Sequence, residues 1–127
     1  MSDFKTLLAV GDLASPKMST VSVTETVRAG ARKMAAEKTS SLLVVDAGGI
    51  LVGLVTEQDI VYRAVAEDFD VNAPVKGIMT PAPLQIAHDV SIFEAKKLML
   101  EHNVHHLIVV REGKPMGILT SQSVMGG

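Results

Sequence analysis

GLVTEQDI at residues 53–60 returns sixty-four positions later as GILTSQSV at residues 117–124. Both stretches run Gly, two apolar residues, Thr, three polar positions and an apolar one, so Asp59 of the first falls opposite Ser123 of the second. Working outward, KMAAEKTSSLLVVD (33–46) meets KLMLEHNVHHLIVVR (97–111), and MSTVSV (18–23) meets MTPAPLQI (79–86). The offset drifts only between 61 and 65, which small loop changes explain. A self-similar period of this size marks two copies of one supersecondary unit. Each copy is too short to bury its own apolar faces, so the two are expected to pack about a pseudo-two-fold axis.

Within a copy the order is strand, helix, strand, turn, strand, helix. Val27, Ala31 and Met34 recur at helical spacing up to about Glu37. Leu42, Leu43, Val44 and Val45 form a continuous apolar run closed by Asp46-Ala47-Gly48-Gly49, the pattern of a buried strand and tight turn. Ile50 to Val55 return as its partner, and Glu57 to Ala66 make the next helix. In the second copy SIFE (91–94) has the form of a capping box, Ser91 accepting from the helix's first amides while Glu94 reaches back. The expected division is repeat 1 over 12–68 and repeat 2 over 69–127, with residues 1–11 as a lead-in. Asp68 to Gly77 forms a linker, and Val75 to Met79 supplies a helical turn opening the second repeat. The final helix of repeat 2 is expected to be cut short at Gly127, as in a piece of a longer protein or one whose closing helix comes from elsewhere. The fold class is α/β (α+β), each repeat a small, mainly three-stranded sheet packed on helices.

Composition narrows the function. Of the 127 residues 47% are apolar and 20% charged, the balance of a folded core. The net charge of −2 and the four aromatics Phe4, Tyr62, Phe69 and Phe93 provide neither the basic excess nor the stacking platform of a nucleic-acid binder. Cysteine is absent, which excludes disulfides, thiolate nucleophiles and Cys-based zinc sites. The four apolar residues Leu7 to Val10 are too few for a signal-peptide core, and no run approaches the roughly 18 of a membrane span. A cytoplasmic protein with neither nucleic acid nor membrane as partner is expected.

The repeated G-[LI]-[LV]-T-x-x-[DS] after a hairpin, preceded by SSLLVVD and HHLIVVR, resembles a tandem pair of CBS domains, a Bateman module. The resemblance runs from about Asp12 to Val124. It is closest to bacterial stand-alone pairs and to pairs linked to cyclic-nucleotide-binding-like and nucleotidyltransferase-like domains. It implies two α/β halves with clefts between them that take adenine nucleotides (AMP, ADP, ATP) or S-adenosylmethionine, and pairs that stack in twos into a disc. Two departures stand out. Leu43 and Ile108 replace the proline of the family's L-P-V-V stretch, and Gln58 replaces the arginine often found beside the aspartate.

Thr56 and Asp59 carry two readings. Thr-x-x-Asp at a strand-to-helix junction is a capping arrangement in its own right. An ionised carboxylate at a helix start can also accept from both ribose hydroxyls, the role the resemblance implies for Asp59, while Thr56 attends to phosphate. Ser123, with Thr120 before it, cannot make that charged contact. A loss of about 1.5–3 kcal/mol means a roughly ten- to hundredfold weaker site. One competent and one degenerate site are therefore expected. Ser40 and Ser41 match cleft-lining family positions, where small side chains leave room for a purine against the backbone of Val21 and Leu42. The alternative is that the serines simply begin a strand.

The resemblance implies that His105 and His106 reach a phosphate held by the other copy, which would make affinity depend on pH, because an unperturbed imidazole titrates near pH 6.5. The alternatives are one histidine in the core and one in solvent, or a metal site with His102. Adjacent residues on an extended chain point to opposite faces, which argues against three imidazoles converging. Arg63, one turn past Asp59, is within reach of a phosphate or simply exposed. His88 beside Asp89 is a possible catalytic dyad, but it sits in the loop ahead of the capping box, where sequence neighbours rarely have the required geometry, and no P-loop, dinucleotide or metalloprotease motif occurs. The expectation is a non-enzymatic, ligand-sensing regulatory module, forming a homodimer and acting on an effector domain in the same or another chain. Its rival is a structural dimerisation module with empty clefts, and further alternatives are an S-adenosylmethionine or metal sensor.

Overall fold

Apolar runs without polar alternation suit strands covered on both faces. In the computed structural model of the chain, which describes residues 8–125, both runs become central strands. Thr20–Ser22 (β1), Ser41–Val45 (β2), Leu51–Thr56 (β3) and Thr80–Pro81 (β4) form one sheet in that order, β1 parallel to β2 and the other pairs antiparallel. Gln85–Ala87 (β5), His106–Arg111 (β6) and Lys114–Thr120 (β7) form the second, β5 parallel to β6 and β6 antiparallel to β7. The helices are Val10–Leu13 (α1), Val27–Glu37 (α2), Asp59–Val65 (α3), Ile92–His102 (α4) and Ser121–Met125 (α5). No helix among the described residues is long and apolar enough to cross a membrane.

The two repeats agree in detail. Thr26 Oγ1 accepts from the Ala29 amide at 3.0 Å to start α2, and Ser91 Oγ accepts from Glu94 at 3.1 Å to start α4, forming that half of the expected capping box. Both helices end in a left-handed residue, Lys38 (φ 54°) and Asn103 (φ 51°). Each hairpin carries a register shift at the same place, between Val44 and Val45 and between Val109 and Val110. The turns differ. Asp46 Oδ1 accepts from Gly48 and Ile50 in the first, whereas Glu112 (φ 52°) and Gly113 (φ 78°) make a two-residue turn in the second.

The chain does not divide where the repeat does. Among the described residues one compact unit is Ser19–Pro83, and the other joins residues 8–18 to residues 84–125. The expected boundaries at 12–68 and 69–127 follow the sequence period, but each repeat's leading segment is built into the unit of the other. Val75 and Ile78, around a tight turn at Val75–Gly77, are buried in the core of Val21, Val27, Met34, Leu42, Val44 and Val55. The Val75 amide donates to Glu25 O, and Thr80–Pro81 then pairs with β3 as an unexpected fourth strand. Val10 likewise enters the core of Ile86, Ala95, Met99, Leu107, Val109 and Leu119. Its amide donates to Val90 O, Gly11 N donates to His88 O, and Ser15 exchanges two bonds with Ile118 of β7 at 2.9 and 3.0 Å.

This exchange explains the glycine that opens both copies of the repeated motif. A Cβ on Gly117 would stand 2.7 Å from Ser15 O and 3.0 Å from Ala14 Cβ. A Cβ on Gly53 would run into Met79 Sδ and stand 3.1 Å from Thr80 O. In each unit the incoming segment crosses the hairpin's second strand at that strand's glycine, where there is no side chain in the way.

Candidate functional site

The strand-to-helix corner after β3 gathers four of the residues singled out from sequence. Ser41 pairs across the sheet with Thr56, and the Glu57 amide donates to Ser40 O at 3.1 Å, which folds the chain from β3 back over the start of β2. Asp59 begins α3 and turns its carboxylate back to the strand. Its Oδ2 accepts from the Thr56 amide at 2.9 Å and the Thr56 hydroxyl at 3.3 Å, while the Asp59 amide approaches Thr56 Oγ1 at 3.4 Å. This is the reciprocal cap that the spacing allows. Asp59 is 8% exposed and Ser41 7%. Val21 and Leu42 lie in the same sheet, but both side chains are spent in the core, so only their backbone remains to meet a ligand.

The other carboxylate oxygen, Oδ1, faces Arg63 Nε at 3.6 Å. The guanidinium side chain is 53% exposed, so as a stabilising ion pair this contact contributes at most about 1 kcal/mol. Its Nη1 donates to Ile78 O at 3.2 Å and Met79 O at 3.3 Å. The guanidinium thus joins α3 to the segment leading into β4. Residues along α3 bond five apart, Ala66 N to Val61 O, a wide winding found often at functional sites. The Asp-to-Arg spacing of four was visible in the sequence. The two carbonyls that fix Arg63 were not, because they arrive with the exchanged segment.

The second unit builds the same corner with other chemistry. His106 pairs across from Thr120 as Ser41 does from Thr56, and Ser121 N donates to His105 O at 2.9 Å as Glu57 does to Ser40 O. Ser123 Oγ accepts from Thr120 N and Oγ1 at 3.3 and 3.2 Å, and its own proton goes to Thr120 O at 2.8 Å. Ser123 therefore keeps the cap but is neutral and exposed, with its single donor used on its own backbone. His105 is exposed, with Nδ1 3.2 Å from Ser121 Oγ, and His106 is half-buried. The residues singled out from sequence thus form two equivalent corners, Ser40, Ser41, Thr56 and Asp59 in one unit and His105, His106, Thr120 and Ser123 in the other. Among the described residues no three imidazole or carboxylate groups gather as a metal would require. His88 serves the fold through its backbone, donating to Val110 O and accepting from Gly11 N.

A family model described as "CBS domain" matches residues 10–66 and again 75–126. The CBS domain-containing protein YhcV of Bacillus subtilis is 28% identical over 87% of this chain and 79% of its own length. An uncharacterized 17.7 kDa protein of Acidianus ambivalens is 31% identical over 87% of this chain and 67% of its own. The chain spans about a fifth of the Arabidopsis thaliana protein CBSCBSPB1, with 30% identity over 81% of the chain and 19% of that protein. Among solved structures, an uncharacterized conserved protein of Pyrococcus horikoshii superposes with a TM-score of 0.89 at 26% identity, covering 95% of this chain and 92% of that one. CBSX2, solved in complex with AMP, gives 0.74 at 27% identity and covers 94% of each chain.

Proposed function

The chain belongs to the CBS-domain family as a tandem pair, and from that premise we propose that it is a regulatory module that binds an adenine nucleotide, AMP, ADP or ATP. The observation that carries this is the buried Asp59 carboxylate, held by Thr56 at the strand-to-helix corner of the first repeat, in a chain 27% identical to a protein crystallised with AMP. An ionised carboxylate is the acceptor two ribose hydroxyls need. Thr56, Ser40 and Ser41 complete that corner, with the backbone of Val21 and Leu42 against the base. His105 and His106 are assigned to the phosphate. The Thr120 and Ser123 corner is the weaker site, since Ser123 offers no charge. A bound nucleotide regulates an attached or partner domain only by its difference in affinity for two arrangements of the protein, and a coupling of about 1–3 kcal/mol suffices. The module is not an enzyme in this reading, and it works in the cytoplasm as a homodimer. The exposed apolar side chains of Val61, Tyr62 and Val65 on α3 and of Phe93 and Leu100 on α4 support self-association.

Calorimetry with AMP, ADP, ATP and S-adenosylmethionine on the native chain and on Asp59→Ala tests the assignment. AMP affinity should fall about ten- to hundredfold in the variant, whereas Ser123→Ala should leave the stronger site unchanged. Absence of binding by all four compounds at millimolar concentration would leave a dimerisation module as the better account. Unchanged AMP affinity in His105→Ala would remove that imidazole from the phosphate.

A further inference from the structure

A carboxylate that accepts two ribose hydroxyls must present its acceptor directions in one fixed plane, and Thr56 alone does not fix that plane. Both Thr56 donors reach the same oxygen, Oδ2, so the carboxylate could still turn about that point. What stands against the free oxygen Oδ1 is Arg63 Nε at 3.6 Å. The guanidinium is itself held, because Nη1 donates to Ile78 O and Met79 O. A planar fork tied at one end to two backbone carbonyls is a preorganised reference, and its Nε faces the carboxylate as an ion-pair partner. The partner is also specific to this corner, since neutral Ser123 gives an arginine nothing to pair with.

We propose that Arg63 is the positioning residue of the ligand site, orienting Asp59 for a ribose diol from an anchor on the Ile78–Met79 backbone. This rests on the assignment of Asp59 to ribose. Arg63 touches no ligand in this scheme. It acts through Asp59, and a direct contact of its half-exposed guanidinium with phosphate is the competing account. The two differ in what part of the ligand they read. A positioning role depends on the ribose hydroxyls, and a phosphate contact does not.

The experiment is a titration of the native chain, Arg63→Ala, Arg63→Lys, Asp59→Ala and the Asp59→Ala/Arg63→Ala double variant with AMP and with 2′,3′-dideoxy-AMP. Thermal unfolding of each confirms that the protein is folded. The native chain should prefer AMP over the dideoxy analogue. Arg63→Ala should weaken AMP about three- to tenfold and leave the dideoxy analogue within about twofold, and the Arg63 effect should vanish once Asp59 is alanine. Arg63→Lys should behave like Arg63→Ala, because an ammonium is a point charge that cannot span the carboxylate and the carbonyl anchor. Equal weakening of both ligands, or a loss of affinity that persists without Asp59, would assign Arg63 to the phosphate and overturn the proposal. So would unchanged or tighter AMP binding in Arg63→Ala, or full rescue by lysine. If the native chain binds neither ligand, or both alike, the ribose assignment falls first and the positioning role with it.

Discussion

Replacing Gly117 by alanine adds one methyl group at the point where the N-terminal segment crosses the second hairpin. The new carbon would stand 2.7 Å from Ser15 O, 3.0 Å from Ala14 Cβ and 3.2 Å from the Ser15 carbonyl carbon. Unstrained carbon contacts lie at about 3.5–4.0 Å, so the segment must retreat by several tenths of an ångström or more. Its nearest atoms are backbone, and that backbone makes both bonds of Ser15 with Ile118. Overpacking with a backbone shift costs about 1–3 kcal/mol, and stretching two hydrogen bonds adds roughly 1 kcal/mol. Restricting the unfolded chain returns about 0.4–1 kcal/mol. The net is a loss of about 1–3 kcal/mol, a fall in Tm of about 4–12 °C for a chain of this size. Gly53→Ala is the control. There the nearest atoms are the far end of Met79, which can swing aside, with Thr80 O next at 3.1 Å, so the loss should stay below about 1 kcal/mol. Thermal unfolding gives the ranking, and amide exchange at Ser15 and Ile118 locates the cause. Gly117→Ala with native stability and unchanged exchange at those amides, or Gly53→Ala as the more damaging change, would refute the reasoning.

Lys38→Gly should raise stability by about 0.5–1 kcal/mol, seen as a higher urea midpoint at unchanged m-value, since a lysine at φ 54° is strained. Asn103→Gly should gain less, asparagine tolerating that conformation. Thr26→Ala and Ser91→Ala should each cost about 1 kcal/mol by loss of a helix cap, and the double variant should show the sum. Met99→Ala should cost about 2–5 kcal/mol by opening a core cavity. Its neighbour Leu100, 73% exposed, should tolerate alanine within about 0.5 kcal/mol of folding stability. Dissociation of the proposed homodimer in Leu100→Ala, read by light scattering, would place α4 at the association surface.

The parts of the fold that declare themselves locally were legible. Leu42 to Val45 and Leu107 to Val110 read as buried strands because an apolar run bounded by a turn suits little else, and Ser91 announced α4 by its cap. The repeat itself gave the Thr56 and Asp59 corner a counterpart at Thr120 and Ser123, and the cap geometry is realised in both. The exchange of leading segments was not legible. Val10 to Ser15 is too short to show a period, and its partners at His88, Val90 and Ile118 lie far along the chain. Thr80–Pro81 was hidden for a related reason, since two residues ending in proline carry no strand signature, only a fit to the edge of β3. The wide winding of α3 leaves no mark in composition. The carbonyls that anchor Arg63 belong to the exchanged segment and could not be foreseen before it was placed.

That exchange also sets a timetable. The unit Ser19–Pro83 is contiguous, so a growing chain holds all of its strands as soon as Pro83 has emerged from the ribosome. In the other unit Val10 to Ser15 is synthesised before that contiguous stretch and its partner Ile118 after it. Closing that loop carries an entropic cost that grows only slowly with length, but it cannot begin until Ile118 has been made. The segment Val10 to Ser15 must therefore wait, apolar Val10 included, while the Ser19–Pro83 unit folds behind it. A nascent chain stalled far enough along for Pro83 to have cleared the ribosome, but before β7 is made, should display a protease-resistant 19–83 unit preceded by a cleavable 10–18 segment, and that segment should become protected only once β7 has emerged.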